Sequence, residues 1–500
     1  MQSALSRVPL RRITLESLWN EKGRNFDIPL KDDGSITLIH GLNGCGKTTL
    51  LKLLSDIGRR RLFSVACVPF EVLTLQYVDG NLIIERSERL QPEADEAIPS
   101  KPQLDPRVFY TLGSEQRRMW MRRLRSTEFR AVDLHIEFIP GEGARPPIQK
   151  FSFIDEEWAE RIVEVVDPVV RIGDNLYRDE ATARQFTAQE LIAFFRDQPE
   201  IANQQSACEP WLQNVIESCD LVLVDTQRLQ RRSRLKADNQ LRYRLRGDAI
   251  PLLKTVDWCA ADMQKRLTES YGRFAETSQA LDRDFTIRVL ASGHAPGAAS
   301  KDELNILKSA YDKVRKKQQE LIDARIYGDK AMPEFPTREL SAPECGMLVY
   351  FVADMDKKLA AFDELYERAQ QFLSTVNELL QGKEIELDSK NDGFVVWLKD
   401  SRGKGRQKIL RSSLSSGEQH LLVLFYEVIF HPQAKPTLLL IDEPELSLHI
   451  TWQLKLIDLL EQACSVSGTE MLVATHSPQI VDGRKFVLLG AGNVDEGEEN

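Results

Sequence analysis

The sequence predicts an α/β fold interrupted by a long helical insertion. Three observations predict it. Near the start, the strand pattern "SITLIH" runs into the glycine-rich "GLNGCGKTT" and then a helix with Leu50, Leu53, Leu54 and Ile57 on one face. Near the end, "PTLLLIDEPE" and "EMLVATHS" read as buried strands around the helical "WQLKLIDLLEQA". Between these regions, residues 255–380 carry apolar side chains at helical 3/4 spacing. Strands alternating with helices at both ends argue for one α/β core whose halves are separated in sequence by helices.

Bulk properties narrow the class. A chain of 500 residues can bury a large core and form several domains. Its 42% hydrophobic and 28% charged residues are ordinary for a soluble globular protein. A net charge of -10 argues against a surface that coats nucleic acid throughout, while allowing a local basic groove. The seven cysteines are scattered without a C-x-x-C pair. That spacing speaks for a reducing cytoplasm and against a zinc site or disulfide framework. The N-terminus has no signal-peptide pattern, and the longest apolar run, Leu421–Phe430, is too short to span a membrane. A cytoplasmic protein with no membrane association is expected.

The elements follow in order. "ITLESLW" and "FDIPL" alternate as strands before "SITLIH", and "EVLTLQYV" and "NLIIER" continue the pattern after the first helix. Residues 91–106 hold four prolines and read as a loop. Residues 107–215 read as mixed and mostly helical. "DLVLVDTQRL" (220–229) is a buried strand with a turn. In the insertion, Leu304, Leu307, Tyr311, Val314 and Leu321 keep helical spacing, as do Met355, Leu359, Phe362, Tyr366, Ala369, Leu373, Val376 and Leu380 without a break. Helices packed on a core and a projecting antiparallel arm both fit that heptad-like spacing. "EIELD", Asn391-Asp392-Gly393 and "FVVWLKD" read as a hairpin. The expected division is 1–254, 255–380 and 381–490, with an acidic tail at 491–500.

Chemistry concentrates in four stretches. "GLNGCGKTT" fits G-x-x-x-x-G-K-[ST], a loop whose backbone N–H groups cradle phosphates. In that reading Lys47 reaches the β- and γ-phosphates and the Thr48 hydroxyl ligates Mg²⁺; Cys45 is a small filler rather than a nucleophile. "LLLIDEPE" ends an apolar run in acids: Asp442 can hold Mg²⁺ and Glu443 can polarise water. Glu445 is ambiguous. His476 follows the strand "LVAT", which in a parallel sheet beside the Asp442 strand ends at the same edge and within reach of the γ-phosphate. "LRSSLSSGEQH" sets Ser412, Ser413, Ser415, Ser416 and Gly417 before an apolar helix, more small polar chain than a single cap requires and suited to an anion. A fifth stretch, Arg228–Gly247, is basic. Arg242, Arg244 and Arg246 share one face if extended, which fits either nucleic-acid phosphates or a solvated or inter-subunit face.

Gly41–Thr49, Leu414–Gln419, Leu438–Glu443, Ser447–His449 and His476 stand in the order of an ABC-type ATPase, resembling its Walker A, signature, Walker B, D-loop and H-loop. The signature "LSSGEQ", the "EPELSLH" after Walker B and the helical split are similar to the branch of SMC, Rad50, RecF and OLD proteins rather than transporters. The resemblance implies an ABC-type P-loop ATPase head with an inserted helical, coiled-coil-like arm, ATP and Mg²⁺ as cofactors, and Asn43, Gly44, Cys45, Gly46, Lys47, Thr48 and Thr49 around the nucleotide. Lys47, Glu443 and His476 are the implied catalytic residues. Thr48, Asp442 and Gln227 (as Q-loop) are the implied metal residues. Ser415, Ser416, Gly417 and Glu418 would meet ATP held by a second copy, and Ser447, Leu448 and His449 form the D-loop, with His449 where transporters usually carry aspartate.

The chain ends just after the H-loop strand, so no nuclease domain of the OLD type is expected. The combination of "VDTQRL", "SQALDRDF" (278–285), "GFVVWLKD" and "LSSGEQH" resembles stand-alone ATPases of bacterial anti-phage systems of the Septu, retron-associated Septu or PARIS type. That implies a homodimer or larger homo-oligomer whose ATP state controls a separately encoded nuclease. One alternative is a DNA-repair or chromosome-maintenance ATPase resembling RecF or a short Rad50 and binding DNA directly; another is a scaffold that binds ATP and scarcely turns it over. DNA or RNA is a possible partner.

Overall fold

The computed structural model describes residues 8–31, 36–92, 128–166, 168–173, 175–180, 182–195, 201, 204–224, 230–232, 252–291, 301–328, 330–390, 392–399, 406–432 and 434–489. The chain forms two units. One comprises Met1–Leu223, Gln433–Glu443 and Thr469–Asn500; the other comprises Val224–Pro432 and Pro444–Gly468.

In the first unit, β1 (Leu10–Glu16) pairs antiparallel with β2 (Phe26–Pro29), and β3 (Ile36–Gly41) ends on the first glycine of the phosphate loop. Helix α1 (Lys47–Gly58) starts where that loop ends and buries Leu50, Leu53, Leu54 and Ile57, as its spacing predicts. A short α2 (Leu62–Ala66) follows. Strands β4 (Val72–Tyr77), β5 (Gly80–Pro92), β6 (Glu128–Pro140) and β7 (Gln149–Ile154) complete a six-stranded antiparallel sheet in the order β2-β1-β4-β5-β6-β7.

The described part of 107–215 is richer in strand than expected. Besides β6 and β7 it holds α3 (Asp155–Val165), β8 (Val169–Gly173), β9 (Leu176–Asp179), β10 (Gln185–Phe186), α4 (Ala188–Phe195) and α5 (Pro210–Glu217). The physical reason is a period-two pattern: Leu134, Ile136 and Phe138 are buried while Asp133, His135 and Glu137 are not. β11 (Asp220–Val224) is the strand expected there, but as an edge strand it buries only Leu221 and Val224.

In the second unit, β12 (Gln230–Arg232) and β13 (Leu252–Lys254) form an antiparallel ribbon. Gln227, Arg242, Arg244 and Arg246 lie outside the described residues. The insertion is four helices: α6 (Thr255–Ala291), α7 (Lys301–Asp323), α8 (Ala342–Leu359) and α9 (Asp363–Leu379). The apolar run from Met355 is broken by a 3₁₀ turn, Ala360–Phe362, which sets Phe362 among the rings of Tyr271, Phe274 and Tyr327. Leu365, Phe372 and Leu379 are buried as well as Ala369 and Val376, so the apolar face of α9 is wider than a coiled-coil seam. Hairpin strands β14 (Lys383–Asp388) and β15 (Gly393–Lys399) pair antiparallel, with β16 (Arg406–Ile409) on the other edge of β15. Gly393 is required twice over: its φ is 68°, and a Cβ there would lie 2.1 Å from the Ala260 carbonyl of α6.

Helix α10 (Ser416–Ile429) closes that stretch. The chain then returns to the first unit with β17 (Thr437–Asp442), gives α11 (Ile450–Ser467) to the second, and ends in the first with β18 (Glu470–Thr475), the short α12 (Pro478–Val481) and β19 (Val487–Leu489). The central sheet has the order β11-β17-β18-β3-β19, with β17, β18, β3 and β19 parallel neighbours. Every residue of β17 and β18 is buried, which is why both read as unbroken apolar runs. No helix among the described residues is long and apolar enough to cross a membrane.

Candidate active site

The parallel sheet places the phosphate loop and the acids at one edge. β3 delivers Gly41, β17 ends at Asp442 and β18 ends at Thr475, just before His476. These are the carboxyl ends of parallel strands, where α/β sheets bind ligands. In the loop, Gly44 and Gly46 have φ of 83° and 113°, open only to glycine without strain. Nothing lies within 4 Å of a Cβ built on Gly44, whereas one on Gly46 would strike Leu18 at 2.5 Å, so Gly44 is fixed by backbone angle alone and Gly46 by angle and packing together.

The polar groups of the loop satisfy one another. Lys47 Nζ donates to the carbonyls of Gly41 at 2.6 Å and Leu42 at 3.1 Å. The Thr48 hydroxyl donates to Asp442 Oδ2 at 2.7 Å. Burial raises the Asp442 pKa and the neighbouring Glu443 charge adds to this, against the Thr48 hydrogen bond and the charges of Lys47 and Lys52. A cation at this carboxylate would relieve that cost. The donors fit Mg²⁺, which favours hard oxygen ligands and uses one or two carboxylates together with phosphates. Among the described residues no cluster of three or more His, Cys, Asp and Glu could hold a metal by itself.

Glu443 has φ of 45°, a left-handed conformation that costs a non-glycine residue about 1–3 kcal/mol. Its N–H donates to the Ala474 carbonyl at 2.8 Å, which holds the strained turn against β18. His476 Nδ1 lies 3.3 Å from Glu443 Oε1. The two implied catalytic side chains are therefore neighbours. One contributor was missed in the sequence: Arg24 Nη1 donates to the Gly44 carbonyl at 3.3 Å and its guanidinium sits 4.6 Å from the Trp19 ring centre. A basic residue two positions before "FDIPL" gives no local signal of this.

In the second unit, the Ser415–Glu418 segment is a complete capping box. Ser415 Oγ accepts from the Glu418 N–H at 3.3 Å, and Glu418 Oε2 accepts from the Ser415 N–H at 2.6 Å. Ser415 and Ser416 are exposed while Gly417 and Glu418 are buried. A Cβ on Gly417 would lie 2.7 Å from the Ser447 carbonyl, so the glycine is required by the close approach of Ser447, which itself has φ of 66°. Leu448 is buried, and His449 is the N-cap of α11, its Nδ1 accepting from the Thr451 N–H at 3.4 Å. That gives His449 a structural task. His420 is buried with Nε2 3.0 Å from the Pro444 carbonyl. At the far end of α10, Arg368 donates to the carbonyls of Ile429 and His431 at 3.4 and 3.1 Å, and Arg266 donates to Phe430 at 2.9 Å.

A strand, a glycine loop that holds its own lysine, and a helix whose first threonine meets the acid of a parallel strand define a P-loop nucleotide-hydrolysing fold. The family described as "AAA domain, putative AbiEii toxin, Type IV TA system" matches residues 217–482, more than half of the chain, and the chain belongs to it. It is an ATPase of the AAA, P-loop class. The matched stretch includes Ser415–Glu418, Asp442, Glu443 and His476, and lies downstream of Gly41–Thr49. No curated protein matches. Among solved structures, the chain is similar to the Smc head domain of Pyrococcus furiosus with an extended coiled coil, bound to the C-terminal domain of ScpA (12% identity, 97% of this chain and 94% of that one, TM-score 0.32). It is likewise similar to the SMC head domain from Thermotoga maritima (10% identity, 99% and 100%, TM-score 0.31).

Proposed function

We propose that the chain hydrolyses ATP with Mg²⁺ held by Thr48 and Asp442, and that Glu443 orients and polarises the attacking water with His476 beside it. The observation that carries this reading is the meeting of Thr48 with Asp442 at 2.7 Å and of Glu443 with His476 at 3.3 Å at one sheet edge. Lys47 turns from the Gly41 and Leu42 carbonyls to phosphate oxygens when nucleotide enters. In the closed state, Ser415, Ser416 and Gly417 of one copy meet the nucleotide at Lys47 of another, in a dimer or larger homo-oligomer. Bound metal neutralises charge on the phosphates. The ATP state of this assembly controls a separately encoded nuclease in anti-phage defence; the resemblance of "VDTQRL", "SQALDRDF", "GFVVWLKD" and "LSSGEQH" to such ATPases supports this part.

The test is a tagged Glu443→Gln variant recovered from the native cell after its phosphate release has been assayed. Loss of turnover with retained nucleotide binding, and a stoichiometric nuclease in the eluate, are the expected results. Turnover equal to wild type would remove Glu443 from the chemistry. DNA in place of a protein partner would replace the regulatory role with repair or chromosome maintenance.

A further inference from the structure

The signature segment is held by a residue that no motif contains. Lys383 Nζ donates to both carboxylate oxygens of Glu418, at 2.9 and 2.7 Å, and both side chains are largely withdrawn from solvent, 19% and 8% exposed. Glu418 is the third helical residue of α10, so its charge lies within the turn that begins with the exposed Ser415 and Ser416. An unpaired carboxylate there would oppose an incoming anion, since the N-terminal turn attracts anions through its N–H groups and dipole. Lys383 cancels that charge and fixes the carboxylate in the capping box.

The backbone carrying Lys383 is itself fixed. Lys383 pairs with Leu398 in the β14–β15 hairpin, and the Lys399 N–H donates to Gly382, whose φ of 68° makes the turn after α9. Two residues on, Asn377 and Ile385 exchange two hydrogen bonds, at 3.0 and 2.7 Å, joining the last turn of α9 to β14. With Arg368 on the carbonyls that end α10, α9 and the residue at the start of β14 hold both ends of the signature helix.

We propose that Lys383 is a positioning residue for the ATPase: by pairing with Glu418 it neutralises and orients the first turn of α10, so that Ser415 and Ser416 can accept the triphosphate of a second copy. This rests on the reading that two copies share each nucleotide. Lys383 itself touches no phosphate; it acts through Glu418.

The experiment compares full-length wild type, Lys383→Met, Lys383→Arg and the double variant Lys383→Met with Glu418→Met. Each is assayed for fluorescent ATP binding at low protein concentration and for phosphate release across a range of protein concentrations. Lys383→Met should bind nucleotide within twofold of wild type yet need at least tenfold more protein for half-maximal turnover per molecule. Lys383→Arg, which can grip the carboxylate through two N–H groups, should restore most of the loss. The double variant separates positioning from stability, because replacing both members of a buried ion pair by apolar residues often preserves the fold. It should stay folded and keep the defect; wild-type turnover in it would make the pair purely structural and overturn the proposal. Lys383→Met with an unshifted concentration curve also overturns it. A wild type whose turnover per molecule is independent of protein concentration overturns the shared-nucleotide reading first, and this proposal with it.

Discussion

The phosphate-loop site and the signature segment are both rich in small and polar residues, but their polar groups are satisfied in opposite ways. At the phosphate loop the partners are exchangeable: Lys47 rests on its own loop carbonyls and Thr48 on Asp442. In the proposed mechanism each contact is traded for a phosphate oxygen or a cation. At the signature segment the partners are permanent: Ser415, Glu418 and Lys383 form one bonded group, and Gly417 is seated against Ser447. The first region is arranged to change partners on binding, the second to present a fixed surface. Left-handed backbone occurs in both regions, at Glu443 beside the phosphate-loop site and at Ser447 against Gly417.

Substitutions should split along this line. The largest effect is expected for Glu443→Gln: turnover should fall about 10²–10⁴-fold, the usual range for a positioned acid–base group, with little change in melting temperature. Steady-state phosphate release and a thermal melt on the same sample check both halves. Thr48→Ala should likewise lower Mg²⁺-supported turnover while stability stays within about 0.5 kcal/mol, because Thr48 is exposed. A large drop in its urea midpoint would mean that the Thr48–Asp442 contact is structural and would blur the comparison.

On the signature side, Gly417→Ala must find room for a methyl 2.7 Å from a carbonyl. It should cost about 1–3 kcal/mol of stability, as overpacking generally does, and lower turnover with it. His449→Ala should cost about 1 kcal/mol through the lost cap of α11, measured by denaturation, whatever its effect on activity. The smallest and most specific effect is in pH. Burial pushes the Glu418 pKa up, but hydrogen bonds from Lys383 and Ser415 outweigh it and hold the carboxyl below its ordinary value of 4.5. A depressed folded-state pKa stabilises the fold above the unfolded value and loses that contribution as pH falls through the folded one. The stability gap between wild type and Glu418→Gln should therefore be constant above about pH 4.5 and shrink below it. A gap that widens on acidification would contradict the ion pair.

Much of this was legible from local pattern. Strand against helix in β1–β5, α1, β14, β15, β17 and β18 follows from period and turn residues. The missed strands of 128–195 show the limit, since short half-buried strands mixed with short helices leave weak periods. The heptad-like run from Met355 is broken by a turn that sets Phe362 in an aromatic cluster assembled from two other segments.

By itself the sequence determined the order of the motifs and the element carrying each, because glycine spacing, capping residues and apolar period act over a few neighbouring residues. The tertiary structure decided what each polar residue is bonded to. Thr48 meets Asp442 across 394 residues, and Lys383 finds Glu418 across 35. A buried charge takes whichever partner the fold brings within about 3 Å, and no local pattern encodes that distance.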